Sequence, residues 1–370
     1  MKIGILTYQR AENYGALLQA FASVTYLKRL GYDVELIDYW PAYHERNYNI
    51  FFTNFFWSLP SKRKIAFLAV TILSLPWLFK RKNNFKKFMY KRLNLPLKIT
   101  YRSDDFCNKY DTVLYGSDQI WRKWNVFSHT FYDEWYFGSD NIIAKKKIAM
   151  AASAGALNIT EEEQLFFQNR MKNFTTVLVR ENDLREFLSS INITSQVVVD
   201  PVFLLSSKEW ESLAGKKTKS KEQKYILFYN LMKTDESVEF VEKLQKHYGC
   251  EIKEINKKRS LRHQGRRYIK SASVEEFLSL IRDAELVVSN SFHGVALSII
   301  FEKQFYAIGM RKKTERVKTL LSALNIEDRY INENNSIDID LKIDFRDVNK
   351  KLTELRNKFQ KLLLFSIENS

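Results

Sequence analysis

Two cysteines in 370 residues, Cys107 and Cys250, stand far apart with no CxxC spacing, so neither a disulfide framework nor a thiolate metal site is expected. Histidine is as sparse: the five, at positions 44, 129, 247, 263 and 293, include no pair four residues apart, and no zinc set follows. The GxGxxG and GxxxxGK[ST] spacings are missing, which removes a dinucleotide site and a P-loop, and no GxSxG nucleophile elbow is present. Internal repeats and low-complexity tracts are absent as well. The apolar run Ile65 to Phe79, interrupted by Thr71, Ser74 and Pro76, is shorter than the roughly 20 residues that span a bilayer. Met1-Lys2 leads through Ile3 to Thr7 into polar Gln9, Arg10 and Glu12, which is not a signal-peptide pattern, and a cytoplasmic location is expected.

The chain also lacks acid where it is most basic. Between Glu45 and Asp104 there is no Asp or Glu, while Lys62, Arg63, Lys64, Lys80, Arg81, Lys82, Lys86, Lys87, Lys91 and Arg92 accumulate and contribute much of the net charge of +16. An anionic surface is the natural partner for such a block. Its basic-apolar-basic order, with Trp57 and Trp77 near the edges, fits an element lying in a membrane interface at the inner face of the cell membrane. A buried helix with solvated flanks is the plainer reading; nucleic acid is the third, and it is not expected.

What is present is an α/β pattern. Lys2 to Thr7 reads as a buried strand, Gly15 to Leu30 as a helix closed by Gly31, and Val34 to Tyr39 as a second strand, which together form a βαβ unit with parallel strands. Further strands are expected at Thr112 to Leu114, Lys147 to Met150, Thr176 to Val179 and Gln196 to Val199. The polar stretch Ser206 to Lys224, with Lys216, Lys217, Lys219 and Lys221, marks a boundary, after which the alternation resumes. Strands are expected at Tyr225 to Tyr229, Glu251 to Ile255, Glu285 to Ser289 and Gln304 to Ile308. Helices are expected at Ser237 to Tyr248, Val274 to Ala284 with a Ser273/Glu276 capping box, and Gly294 to Phe301. A last helix, roughly Val348 to Phe365, packs back on one of the domains. The expected organisation is a Rossmann-like domain over residues 1–205 with an insert at about 45–105, a second over 206–345, and a C-terminal helix over 346–370. Doubly wound parallel sheets bind ligands at strand carboxyl ends, here in a cleft between the domains.

The residues that could carry chemistry sit at such ends. Ser289-Asn290-Ser291-Phe292-His293-Gly294 joins a strand to a helix, which puts His293 at the carboxyl edge of the second sheet, lets the backbone at Gly294 pass close to a ligand, and offers helix-opening amides to an anion. Tyr8 to Gly15 is the corresponding loop of the first domain; there Asn13 and Gly15 either meet a ligand, with Tyr14, or simply cap and turn the helix. Ser117, Asp118, Gln119 and Trp121 offer hydroxyl, carboxylate, amide and indole to sugar hydroxyls, although Asp118 equally suits a helix cap. Arg180, just past a strand, has the planar fork that suits a carboxylate or phosphate; a surface ion pair is the alternative.

Six segments taken together resemble the polysaccharide pyruvyl transferase family. They are Asn13-Tyr14-Gly15-Ala16-Leu17-Leu18-Gln19-Ala20, Gly116-Ser117-Asp118-Gln119-Ile120-Trp121, Ala152-Ser153-Ala154-Gly155, Val179-Arg180-Glu181, Asp200-Pro201-Val202 and Ser291-Phe292-His293-Gly294, spread over about residues 1 to 310. The resemblance implies two Rossmann-like domains in a glycosyltransferase-B-like arrangement, phosphoenolpyruvate as donor, a sugar as acceptor, and a pyruvate ketal as product; whether that sugar is polyprenyl-linked, nucleotide-linked or already polymerised stays open. It implies that Arg180 and the Ser291 to Gly294 turn hold the donor, that His293 is the acid, and that no metal or organic cofactor is used. Asp118 is then the residue that orients or deprotonates the acceptor. Two other readings fit the same architecture and charge: a nucleotide-sugar-dependent glycosyltransferase, and a non-enzymatic protein that binds membrane or nucleic acid through its basic block.

Overall fold

The structure, a computed structural model, describes residues 1–96, 109–126, 129–215, 224–257, 259, 265, 267–309, 315–331 and 338–369. Cys107, His263, the end of the basic block and the boundary lysines Lys216 to Lys221 lie outside the described residues.

By their contacts the residues form two compact units, one of Met1–Asn49, Met89–Leu204 and Leu352–Ser370, the other of Ile50–Phe88 and Leu205–Lys351. The first begins with β1 (Lys2–Leu6), α1 (Tyr14–Arg29), β2 (Asp33–Leu36) and α2 (Ala42–Asn47). The basic block follows as α3 (Asn54–Ser58), α4 (Ser61–Leu73) and α5 (Leu75–Leu93). Then come β3 (Tyr110–Tyr115), an antiparallel hairpin of β4 (Trp124–Val126) and β5 (His129–Phe131), β6 (Ala144–Ala152), α6 (Glu161–Met171), β7 (Thr176–Val179), α7 (Asn182–Ser190) and β8 (Gln196–Val197). Six of these strands make one parallel sheet in the order β2-β1-β3-β6-β7-β8. Asn13 starts α1 by accepting the Gly15 amide on its side-chain oxygen at 2.9 Å, and Leu17, Leu18, Leu27 and Val24 are buried. Ile3, Ile5 and Leu6 of β1 have no exposed surface, as befits a strand covered on both faces. Each such side chain contributes about 1.5–3 kcal/mol by leaving water.

The second unit contains α8 (Ser207–Ala214), β9 (Tyr225–Tyr229), α9 (Asp235–Tyr248), β10 (Glu251–Ile255), β11 (Tyr268–Ile269), α10 (Val274–Arg282), β12 (Leu286–Ser289), α11 (Phe292–Ile300), β13 (Gln304–Ile308), α12 (Glu315–Ala323) and β14 (Tyr330–Ile331). Its sheet, again wholly parallel, runs β11-β10-β9-β12-β13-β14. The capping box expected at α10 is formed: the Ser273 hydroxyl accepts the Glu276 amide and the Glu276 carboxylate accepts the Ser273 amide. The last helix, α13 (Phe345–Asn369), has its part from Leu352 onward in the first unit, where Arg356 Nε donates to the Phe203 carbonyl at 2.6 Å and Phe359 and Leu363 are fully buried. The fold class is therefore α/β with two doubly wound parallel sheets.

Although the basic block interrupts the first unit in sequence, its residues 50–88 belong by contact to the second. Asn84 Nδ2 donates to the Ser271 carbonyl at 2.8 Å, Arg259 Nη1 donates to Thr71 Oγ1 at 3.0 Å, and the Lys270 ammonium lies 5.2 Å from the Trp77 ring. The block is two long helices rather than one because α4 ends at Ser74 and Pro76 opens α5, where its missing N–H is harmless. Among the described residues no helix is long and apolar enough to cross a membrane.

Candidate active site

Each sheet has one point where the strand order reverses, between β1 and β3 in the first unit and between β9 and β12 in the second. Ligand sites of doubly wound sheets lie at the carboxyl ends of the strands flanking such a point. Ser117 and Asp118 follow β3 and Ser291 to Gly294 follow β12, next to these points, whereas Arg180 follows β7.

In the first unit, the ends of β1 and β3 are tied together by side chains. Gln19 of α1 donates through Nε2 to Thr7 Oγ1 (2.7 Å) and accepts the Ser117 amide on Oε1 (3.2 Å), while Thr7 Oγ1 donates to the Ser117 carbonyl (3.0 Å). Gly116 has φ +129°, and a Cβ there would stand 2.2 Å from the Met150 carbonyl oxygen, so this turn admits glycine alone. Asp118 follows with φ +73°, its Oδ1 accepting the Gln119 amide at 2.8 Å. Arg180, the first residue past β7, is ion-paired with Asp200, and its Nη2 lies 3.8 Å from Asp118 Oδ1. Asp200 also accepts the Ser117 hydroxyl and the Val202 amide, both at 3.0 Å. The side chains of Arg180 and Asp200 are 1% and 0% exposed, that of Asp118 15%. Burial lowers the Arg180 pKa, but the Asp200, Asp118 and Glu181 carboxylates outweigh it and leave it raised, so the guanidinium keeps its charge inside the protein. The surface ion pair weighed for Arg180 is thus replaced by a buried one.

The remaining first-unit residues divide. Asn13 caps α1, and Tyr14 and Gly15 are buried in its first turn. Ser117 belongs to the Asp200 network, and the Gln119 carbonyl accepts the Tyr8 hydroxyl at 2.8 Å. Trp121 has no exposed surface: its indole donates to the Tyr136 carbonyl at 2.9 Å and stacks on Phe137. The indole expected to meet sugar hydroxyls is core, because the aromatic-rich segment after the hairpin closes over it.

In the second unit, α11 begins at Phe292, two residues before the expected start, which puts His293 within the first helical turn instead of the loop before it. The turn is held from below: Ser289 Oγ donates to the Tyr229 carbonyl (2.7 Å) and accepts the Ser291 amide (3.0 Å). Ser291 is the N-cap residue and makes no side-chain capping bond, and the positive end of the α11 dipole at this turn favours an anion. His293 is 6% exposed, its ring edge-on to Phe292 at 5.3 Å. Gly294 has a packing reason as well: a Cβ there would come 2.4 Å from Ser289 Oγ. Beside this turn, Asn290 Oδ1 accepts the Leu231 amide at 2.7 Å, its amide group donates to Asn230, and Asn230 donates to Ser237 Oγ at 2.9 Å, a lattice that fixes the ends of β9 and β12 against each other. At the end of β10 the buried Glu254 carboxylate is held by Lys233 (3.1 Å) and by Asn256 Nδ2 (2.8 Å). Among the described residues, no group of three or more His, Cys, Asp or Glu is placed to hold a metal ion.

The family model for polysaccharide pyruvyl transferase matches residues 13–311, which takes in both sets of strand ends. This chain belongs to the polysaccharide pyruvyl transferase family. No curated protein sequence matches it. Among solved structures, this pyruvyl transferase family member is similar to UDP-N-acetylglucosamine 2-epimerase from Rickettsia bellii, at 12% identity over 99% of this chain and 96% of that one with a TM-score of 0.46. It is similar also to UDP-GlcNAc 2-epimerase from Neisseria meningitidis (12% identity, 98% and 94% covered, TM-score 0.41) and to an E. coli heptosyltransferase (12% identity, 83% and 88% covered, TM-score 0.33).

Several polar residues of these strand ends were not singled out from the sequence. Asn230 directly follows β9, and Glu254 and Asn256 stand at the end of β10; reading the residues that end or follow each strand would have found all three. Asp133 and His44 carried no such signal. Asp133 accepts the Tyr39 hydroxyl at 2.8 Å and that of Tyr43, and burial raises its pKa while these hydroxyls pull it back. His44 sits among Tyr8, Trp40, Tyr43, Trp124 and Tyr136, where burial first and the Arg122 charge second hold it down to about 3 from 6.5. The unfolded chain takes up this proton near 6.5 and the folded protein near 3, so the stabilisation is complete above 6.5 and is lost as the pH falls towards 3. Each pH unit in that window costs about 1.4 kcal/mol, or about 2 kcal/mol by pH 5. Urea titrations at pH 7 and 5 should show this loss in the native protein and a smaller one in His44→Phe; equal losses would contradict it.

Proposed function

We propose that this family member transfers the pyruvyl carbons of phosphoenolpyruvate to two hydroxyls of one sugar, in a bacterial surface polysaccharide or its lipid-linked precursor, forming a ketal. The observation that carries the reading is the position of His293: first turn of α11, at the strand-order reversal of the second sheet, beside helix-opening amides. An anionic donor suits those amides, with Ser291 and Gly294 forming the turn that receives it. The imidazole supplies a proton to the donor methylene carbon, which becomes the ketal methyl group. The adjacent carbon is then an electrophile for the first sugar hydroxyl; phosphate leaves with the bridging oxygen, and the second hydroxyl closes the ring. Of the two hydroxyl protons lost, one replaces the proton given to carbon and the other leaves on phosphate. Asp118, partly exposed at the end of β3, takes the acceptor proton.

Arg180 enters this proposal in a restricted form. Its buried pairing with Asp200 and its proximity to Asp118 support a role in holding the Gly116 to Gln119 turn in place, with any contact to the donor secondary. The test is phosphate release from phosphoenolpyruvate in the presence of candidate lipid-linked sugars, with mass spectrometry of the sugar for the added pyruvyl group. Phosphoenolpyruvate should raise the melting temperature and nucleotide-sugars should not. Stabilisation by a nucleotide-sugar, with no phosphate release, would replace this reading by glycosyl transfer.

A further inference from the structure

Helix α4 is amphipathic the wrong way round for a helix that faces water. Its outward residues Ile65, Ala66, Ala69, Ile72 and Leu73 recur at helical spacing and make one apolar stripe, with Ile65 74% and Leu73 63% exposed, whereas polar Thr71 is buried and bonded to Arg259. Phe55 of α3 and Phe79 of α5 are likewise more than half exposed. Single exposed apolar side chains are ordinary on a protein surface, but a continuous helical stripe flanked by more of them is not.

We propose that this face docks on a bilayer containing anionic phospholipid, with α4 lying in the plane of the interface. The stripe from Ile65 to Leu73 is only about 14 Å long at 1.5 Å per residue, too short to cross the roughly 30 Å hydrocarbon layer and long enough to sink into its boundary. Charge selects the occupant. Lys62 and Arg63 precede the stripe, Lys80, Arg81 and Lys82 follow it, and no acidic residue occurs from 46 to 103. Lys80 also lines a cavity of about 410 Å³ in the second unit together with Lys253, Lys270, Glu276 and Asp283, so three cations and two carboxylates meet there. A second copy of the same face would set cation against cation. A nucleic acid would find no charge along the stripe itself, since from Ile65 to Phe79 there is neither Lys nor Arg. Anionic headgroups over an apolar layer match both parts of the face.

The inference does not depend on the proposed reaction, because the test needs neither donor nor acceptor. Purified full-length protein is floated with vesicles of phosphatidylglycerol and phosphatidylcholine, and with vesicles of phosphatidylcholine alone. Enrichment on the anionic vesicles is expected, weakened by salt and at least about tenfold lower for Ile65→Glu/Ile72→Glu and for Lys62→Glu/Arg63→Glu. These positions are exposed or half-exposed, so the variants should melt like the native protein. No enrichment on anionic vesicles, undiminished enrichment of the Ile65→Glu/Ile72→Glu variant, or a dimer by light scattering that this variant abolishes without vesicle binding would each overturn the proposal. Competition by nucleic acid that removes all binding, with the double glutamate variant still bound to it, would do the same.

Discussion

Replacing His293 by alanine is expected to lower pyruvyl transfer by about 100-fold to 10,000-fold, the range associated with losing a positioned general acid. The expectation follows from placement more than from residue type. Ser289 and Asn290 anchor the strand-to-helix turn through the Tyr229 carbonyl and the Leu231 amide, and neither anchor involves the imidazole, so the turn should survive its removal. The first-turn amides persist in the variant. Donor affinity by calorimetry should accordingly change by less than about threefold, while turnover collapses; a loss confined to turnover is the signature of a group that acts in the transition state. Because His293 is nearly buried, alanine leaves a small void, and His293→Gln provides a second variant that fills it without acid chemistry. Both should melt within a few degrees of the native protein. Turnover retained in either variant would remove His293 from the reaction, and loss of donor binding equal to the loss of turnover would assign it to binding instead.

The sequence is most informative where a single force acts. The strands Thr176–Val179, Tyr225–Tyr229, Glu251–Ile255 and Gln304–Ile308 have the bounds expected of them: three are short, largely apolar runs cut off by polar turns, and Glu251–Ile255 alternates charged and apolar residues with the period of a strand. Parallel pairing follows from the alternation of strands with helices, and with it the placement of Ser117 and Ser291 at strand ends. Strand order is another matter: that the first sheet reverses between β1 and β3 and the second between β9 and β12 depends on which edge each later strand joins, and no local pattern encodes that. Trp121 shows the same limit at one residue. Its neighbours Ser117 and Asp118 are polar, and only the folded chain brings Phe137, Phe167 and Phe174 around the indole. The two-residue error at the start of α11 has a local cause, since Phe292 and His293 are poor helix signals and the Ser289 hydroxyl, remote from the helix pattern, sets the turn. The basic block was legible as charge and hydropathy, but not the outward direction of its apolar stripe, because periodicity gives a helix a face without saying what the face meets.

The Arg180–Asp200 pair should produce the largest stability effects in the molecule. Both side chains are essentially unexposed, so the attraction between them is hardly screened, and removing either partner leaves the other charged without its counterpart. Arg180→Ala and Asp200→Ala should each lose about 3–5 kcal/mol in urea titrations at pH 7. Their losses should not add. Once Asp200 is gone, Arg180 retains a carboxylate in Asp118 at 3.8 Å, and once Arg180 is gone, Asp200 still accepts from Ser117 and from the Val202 amide. The double variant has no stranded charge at this position and should therefore be more stable than the sum of the single losses by about 1–3 kcal/mol. Strictly additive losses, or single losses under about 1 kcal/mol, would show that the pair does not organise the interior. The functional consequence follows from connectivity. Asp200 binds Ser117, the residue between Gly116 and Asp118, so Asp200→Ala frees the turn that carries the carboxylate proposed to receive the acceptor proton, and Arg180→Ala loosens it by removing the partner that holds Asp200 in place. Turnover should fall in both, and more steeply than in Asp200→Asn, where the single carboxamide oxygen still accepts the Val202 amide and the carboxamide nitrogen donates to the Ser117 hydroxyl oxygen, so that the turn stays tied while the charge is lost.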